Sequence, residues 1–351
     1  MRVLIAAGGT AGHVVPALSV AAELRADGCE VHFAGGDRAE ATLVPQAGYS
    51  FHRVKAKGLS RTSVLDAFRA ALLVPAAVIE AVKIIRELNP DAVMGGGGYI
   101  AGVVGLAAVL TRTPLVLTEA DSHLGLSNRW LGRFAKRVCL AFPIEGRVPP
   151  RWIVTGRPVP TPFTDREAAR RRFGIADSAK CVLVTGGSLG ARSINEAAIE
   201  AFARADFDVL HLAGERDLPD LEVPRSGYRL EGYVDDFGEA VLACDIAVAR
   251  AGGSVFELAA QGCPAVLVPY PHAAGDHQRG NAEWMRKAGA AVVIEDGELT
   301  PTLLAETVTA IIDDPERLER MRCASSGLAL PGAAASVAAE ILAVGGVGSR
   351  G

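Results

Sequence analysis

Short apolar runs alternate with glycine turns and helical stretches along most of the chain. Residues 2–7 (RVLIAA) read as a buried strand, followed by Gly8-Gly9-Thr10-Ala11-Gly12-His13. A helix is expected from about Pro16, with proline in its first turn and Gly28 at its end. Strands follow at 30–36 (EVHFAGG), 91–94 (DAVM), 114–120 (PLVLTEA) and 138–143 (VCLAFP). Four glycines and Tyr99 come directly after the strand at 91–94. The helix after loop 121–128 carries Arg129, Arg133, Lys136 and Arg137.

Residues 154–162 (VTGRPVPTP) read as a linker, because proline and glycine crowd there. The pattern then restarts. A helix at 165–174 leads to strand 181–188 (CVLVTGGS), then Gly186-Gly187-Ser188-Leu189-Gly190-Ala191 and a helix from about Ser193. Strands at 208–214 and 228–234 follow. Residues 245–282 hold the densest chemistry. A strand at 246–249 runs into Gly252-Gly253-Ser254, with Ser254 as the expected helix cap and Glu257 in the first turn. A second strand at 265–269 leads to a polar loop with His272, Asp276, His277 and Gln278, ahead of a helix from about Asn281.

This repeat of strand, glycine loop and helix predicts an α/β protein of two β/α domains joined by a short linker, which implies a cleft between them. The expected division is 1–158 and 159–351. Backbone N–H groups at a helix start point outward, and glycines let an anion approach them. A carboxylate one turn in, at Glu257, can accept both hydroxyls of a ribose. The first loop fits neither the dinucleotide fingerprint nor the P-loop. It still places amides and the His13 imidazole at the carboxyl end of a strand, where ligands bind in open α/β sheets.

Composition narrows the partners. Of 351 residues, 50% are hydrophobic and 22% charged, which describes a well-cored chain rather than a disordered one. Aromatics make up 5% and the net charge is −4, so a base-stacking nucleic-acid surface is not expected. Residues 1–157 carry 18 Lys and Arg against 12 Asp and Glu; the remainder carries 18 against 28. The basic half suits an anionic partner such as a membrane surface or a pyrophosphate. Within it, residues 70–79 are uncharged and flanked by Arg61, Arg69, Lys83 and Arg86. That run is too short to span a bilayer but can dip into one leaflet; a core helix bent at Pro75 is the plainer alternative. Six cysteines without a C-x-x-C pair read as buried thiols of a reducing cytosol. The N-terminus enters a strand at once, so no signal peptide is expected.

The ordered set Gly8-Gly9-Thr10-x-Gly12-His13, Gly97-Gly98-Tyr99, Gly186-Gly187-Ser188-x-Gly190-Ala191 and residues 251–282 resembles the MurG family over nearly the whole chain. The resemblance implies a GT-B fold, two Rossmann-like β/α domains facing each other across a cleft. It implies transfer of N-acetylglucosamine from UDP-N-acetylglucosamine to the 4-hydroxyl of lipid I, a membrane-anchored muramyl pyrophosphoryl lipid. Lipid II forms with inversion at the anomeric carbon, at the cytoplasmic face of the membrane. Carried over by position, Thr10, Ala11, Gly12 and Ser188 neighbour the donor. Glu257 holds the ribose, and the amides of Gly252, Gly253 and Ser254 meet the pyrophosphate. Gln278 and His277 contact the sugar, Tyr99 and Asn128 line the N-terminal wall, and His13 is the candidate base. His13 suits that role because its ordinary pKa lies near neutrality. No D-x-D pair is placed to hold a metal, and no cofactor is expected.

Four departures stand out. Ala11 replaces a usual glycine. Thr118-Glu119-Ala120-Asp121 replaces a usual His-Glu-Gln-Asn, which puts Asp121 at a donor-contacting position. Leu189 replaces a common glutamine. The linker has Pro160 where the family tends to place arginine, with Arg157 three residues earlier. An extra carboxylate near a pyrophosphate is unfavourable unless paired or protonated. The departures at Asp121, Leu189 and Pro160 are what would favour the alternative to the lipid I transferase, a related GT-B transferase with another lipid or metabolite acceptor.

Overall fold

The structure, a computed structural model, describes residues 1–9, 11–55, 64–187, 189–273 and 276–346, with side chains at all of these except 11 and 64–73. The chain forms two compact units, residues 1–160 with 332–351, and residues 161–331.

The first unit is built on strands β1 (Arg2–Ala6), β2 (Glu30–Gly35), β3 (Ser50–Arg53), β4 (Ala92–Gly95), β5 (Leu115–Glu119), β6 (Arg137–Leu140) and β7 (Trp152–Val154). They form one sheet in the order β3-β2-β1-β4-β5-β6-β7, and every pairing is parallel. Helices α1 (Ala11–Ala26), α2 (Glu40–Gln46), α3 (Val64–Leu88), α4 (Gly98–Thr111) and α5 (Leu126–Leu131) connect β1 through β6 in turn. Strand β1 shows why the apolar run is continuous. Val3 and Ile5 enter one core with Val14, Val20 and Leu24, while Leu4 and Ala6 enter the other with Ile85, Val104 and Leu117. A parallel strand covered on both faces needs apolar side chains at every position.

The second unit repeats the plan with β8 (Cys181–Thr185), β9 (Asp208–Leu212), β10 (Tyr228–Glu231), β11 (Ile246–Ala249), β12 (Ala265–Leu267) and β13 (Ala291–Val293). The order is β10-β9-β8-β11-β12-β13, again all parallel. Its helices are α6 (Arg166–Arg172), α7 (Arg192–Ala201), α8 (Phe237–Ala243), α9 (Ser254–Ala260), α10 (His277–Lys287), α11 (Pro301–Ile312) and α12 (Pro315–Ser326). Both sheets reverse their winding beside the first strand, between β1 and β4 and between β8 and β11. Such switch points open a crevice at the carboxyl ends of the strands. The four glycine loops singled out in the sequence follow β1, β4, β8 and β11.

The last helix, α13 (Ala333–Gly346), returns to the first unit. Val337 and Ile341 join the core of α1 and β4, and Arg137 bonds Glu340 at 2.9 Å. The sequence reading left residues 332–351 with the second half. An apolar helix face does not declare which sheet it will cover.

Other local expectations also shift. Helix α1 starts at Ala11, so Pro16 lies inside it and not in its first turn. Helix α10 starts at His277, which puts His277 and Gln278 in its first turn. Gly253, not Ser254, precedes α9; the Ser254 hydroxyl donates back to Arg250 O at 3.4 Å. Five cysteines are buried and free, but Cys323 is exposed. In α3, Ala77, Val78, Ala81 and Ile85 are buried in the core that α4 shares. Among the described residues, no helix is long and apolar enough to cross a membrane.

Candidate active site

The first unit gathers two glycine loops at its switch point. The Gly97 backbone has φ of 99° and Gly98 of 75°, which side chains rarely adopt. A Cβ at Gly97 would run into the His13 ring, and one at Gly98 into the Gly8 carbonyl. The glycines after β4 therefore let the two loops pack directly together, which sets the place of the His13 ring. Tyr99 is the second residue of α4, with its hydroxyl buried and without a hydrogen-bond partner among the described residues. Burial raises the Tyr99 phenol pKa.

The amides of Gly9 and Gly36 both point at one carboxylate. Glu40, the first residue of α2 and 1% exposed, accepts from Gly9 N at 2.8 Å and from Gly36 N at 2.9 Å. Arg157, also buried, donates to Gly12 O at 2.5 Å and Ala120 O at 3.4 Å. Gly12 O is the carbonyl that residue 16 would normally bond within the helix. Proline has no N–H, so the Arg157 guanidinium supplies the missing donor.

Glu119, at the end of β5, organises the loop that follows. It accepts from Gly125 N at 2.8 Å, Asn128 Nδ2 at 3.0 Å and Asp121 N at 3.4 Å. Burial holds the Glu119 carboxyl above its ordinary range, against the lowering pull of these donors. Asn128 also donates to Thr118 O at 2.9 Å, so its amide nitrogen is committed to the loop. Thr118 itself donates to Gly95 O at 3.3 Å, tying β5 to β4. A small cavity is lined by Gly12, Gly96, Glu119, Cys139, Arg157 and Val337, which brings α13 to these loops.

The second unit shows the same construction. Gly187 (φ 84°) and Gly190 (φ 76°) shape the loop after β8, and Gly190 packs against the Ala213 carbonyl. Asn195 holds that carbonyl at 2.9 Å and Asp217 at 3.0 Å, and a chain of bonds continues through His211 to the Tyr228 hydroxyl. Arg250, just before the next glycine turn, bonds Asp296 at 2.5 Å, Ser193 Oγ at 2.9 Å and Val268 O at 3.1 Å. It joins the start of α7 to the ends of β11 and β12. Asn281 donates to Ala251 O at 3.0 Å, and Gln278 accepts from Tyr270 N at 2.9 Å. The Gln278 amide nitrogen would lie 3.8 Å from a Cβ at Gly252.

Gly252, Gly253, Ser254, Gln278 and the α9 start are thus brought together, with Glu257 one turn on and partly exposed. Burial raises the Tyr233 phenol, and the negative charges of Asp235, Glu257 and Asp236 add to that. His277 is partly exposed in the first turn of α10. Ala11 and Gly12 open α1, and Asp121 is partly buried beside Glu119. Thr10 and Ser188 lie outside the described residues. Sequence reasoning passed over Glu40, Arg250 and Asn281, whose roles depend on partners far along the chain. It noted Glu119 only as part of a departing motif.

The glycosyltransferase family 28 N-terminal domain matches residues 3–140, and the family 28 C-terminal domain matches residues 181–337. The UDP-N-acetylglucosamine–N-acetylmuramyl-(pentapeptide) pyrophosphoryl-undecaprenol N-acetylglucosamine transferase of Methylococcus capsulatus is 38% identical over 347 residues, 96% of this chain and 97% of its own. The enzyme of that name from Pseudomonas entomophila is 39% identical over 347 residues, 96% of each chain. The chain belongs to the MurG family of glycosyltransferases. The crystal structure of Acinetobacter baumannii MurG superposes with a TM-score of 0.78 at 30% identity, over 97% of this chain and 99% of that one. MurG membership accounts for both halves of the repeat, since each glycosyltransferase domain coincides with one parallel sheet. It also sets the Thr118 and Asp121 departures in a MurG-like framework: Thr118 bonds a strand neighbour, and the Asp121 amide is held by Glu119.

Proposed function

We propose that this protein transfers N-acetylglucosamine from UDP-N-acetylglucosamine to the 4-hydroxyl of the muramyl sugar of lipid I, with inversion, forming lipid II for peptidoglycan synthesis. The observation that carries this reading is near-full-length kinship with transferases of that name. The two switch-point sites are consistent with it.

The donor belongs to the 161–331 unit. Its pyrophosphate meets the amides around Gly252, Gly253 and Ser254, where the positive end of α9 stabilises the leaving UDP. Glu257 accepts the ribose hydroxyls, and Gln278 and His277 contact the sugar. In the 1–160 unit, His13 removes the proton of the acceptor hydroxyl as the anomeric bond to UDP breaks. Tyr99 and Asn128 line that site, while Arg157 and Glu119 shape it.

The acceptor is anchored in a bilayer, and the same unit offers a surface suited to one. Leu126, Trp130 and Phe134, four residues apart, are 68%, 62% and 62% exposed. Arg129, Arg133 and Lys136 are exposed between and beside them. On α4, which shares a core with α3, Leu106 and Leu110 are exposed as well. Apolar side chains ringed by cations fit the headgroup region of an anionic membrane. We place the protein peripherally, at the cytoplasmic face.

The decisive experiment measures UDP release from UDP-N-acetylglucosamine with and without a soluble lipid I analogue. Acceptor-dependent release, with the disaccharide seen by mass, supports the reading. Tight UDP binding without release would direct attention to another acceptor.

A further inference from the structure

The first glycine loop already holds an anion, and it is the protein's own. Glu40 reaches from the start of α2 to Gly9 N on one oxygen and Gly36 N on the other, at 2.8 and 2.9 Å. Three glycines at or just past the ends of β1 and β2 make room for it. A Cβ at Gly8 would lie 2.8 Å from a Glu40 oxygen, one at Gly35 2.6 Å from its Cγ, and one at Gly36 3.1 Å from an oxygen. Glycine turns after β1 and β2, which by pattern could admit a ligand, thus wrap one buried carboxylate. The loop it grips leads into α1, whose third residue is His13.

We propose that Glu40 is the positioning residue for His13. Two charge-assisted bonds fix the loop on the β2 side, while Gly97 and Gly98 press against the His13 ring and the Gly8 carbonyl from the β4 side. The loop that leads to His13 is held by the carboxylate clamp, and the ring itself lies against the bare Gly97 backbone. Neutral acceptors in place of Glu40 would relax one side only. This rests on the reading of His13 as the base, but the clamp itself does not.

The test compares wild type, Glu40→Gln, His13→Ala and the double variant. Glutamine keeps the size of the side chain but can accept from only one of the two amides. Its NH₂ group faces the other. The expected result is a fall in kcat of about 10–100-fold for Glu40→Gln, with the dissociation constant for UDP unchanged. In the His13→Ala background the same change should cost little, because its effect runs through His13. Equal losses in both backgrounds, or wild-type turnover in Glu40→Gln, overturn the proposal. Hydrogen exchange at Gly9 and Gly36 reads the clamp without activity: Glu40→Gln should speed it at one or both amides, and unchanged exchange at both also overturns the proposal. If wild type itself shows no acceptor-dependent UDP release, the transferase reading fails, and the Gly9 and Gly36 exchange still decides whether Glu40 holds the loop. Should Glu40→Gln not fold, Glu40→Asp, too short to reach both amides, carries the same comparison.

Discussion

Arg157 donates to the carbonyl of Gly12 that Pro16 cannot bond, across 145 residues of sequence. The proline opens a gap in the hydrogen bonding of α1 close to His13, and a buried guanidinium from the end of the first unit closes it. Arg157→Ala leaves that carbonyl unsatisfied and should cost about 1–3 kcal/mol. Restoring an N–H with Pro16→Ala in the same chain should recover part of the loss. Urea unfolding of the single and double variants measures both; a double variant no more stable than Arg157→Ala would refute the pairing.

His13 and Glu257 should separate in kinetics. His13→Ala is expected to lower turnover by about 10²–10⁴-fold with UDP affinity retained. Glu257→Ala is expected to weaken UDP binding by about 1.5–3 kcal/mol through loss of charge-assisted ribose contacts. Calorimetric titration with UDP, beside initial rates, distinguishes the two. Unaltered UDP affinity in Glu257→Ala would remove that residue from the donor site.

His211 makes the second unit sensitive to acid. Burial lowers its pKa to about 4, from an ordinary 6.5. Its neutral ring bonds Asn195 Oδ1 and the Tyr228 hydroxyl. Because the unfolded chain takes up the proton more readily, stability falls as pH drops from about 6.5 towards 4. The loss nears 3 kcal/mol at the lower end. Above 6.5 this group adds no pH dependence. Denaturation between pH 4 and 7 should show the slope in wild type, and His211→Gln should flatten it. An equal slope in both would place the acid sensitivity elsewhere.

Membrane binding should depend on Trp130 and Phe134. Replacing both with glutamate is expected to abolish co-sedimentation with vesicles of anionic phospholipid. Turnover of a soluble acceptor should persist. Wild-type binding should weaken as salt rises, since exposed arginine and lysine charges are screened. Salt-independent binding, or binding by the double variant, would point to another surface.

Much of the fold was legible because its signals are local. An apolar run between glycines reads as a covered parallel strand whatever its neighbours, and the repeat of strand, glycine loop and helix announced two β/α units. The glycine loops, His13 and Glu257 were likewise visible, because a motif is a short stretch of chain. Helix starts were less exact. Pro16 looked like a first-turn residue, yet α1 begins five residues earlier, where Arg157 compensates for the proline.

What the sequence by itself determined was therefore the order of elements, the apolar character of both sheets and the residue types offered at the strand ends. Tertiary structure decided which of those residues meet. Glu40 and Gly9 are 31 residues apart, and only the pairing of β1 with β2 brings their loops together. Helix α13 carries an apolar face that would suit either sheet, and packing against α1 and β4 settled it on the first. The physical reason is common to all three cases. Hydrophobic periodicity acts within a few residues, whereas a buried carboxylate, guanidinium or helix face is specified by the one distant partner that satisfies it.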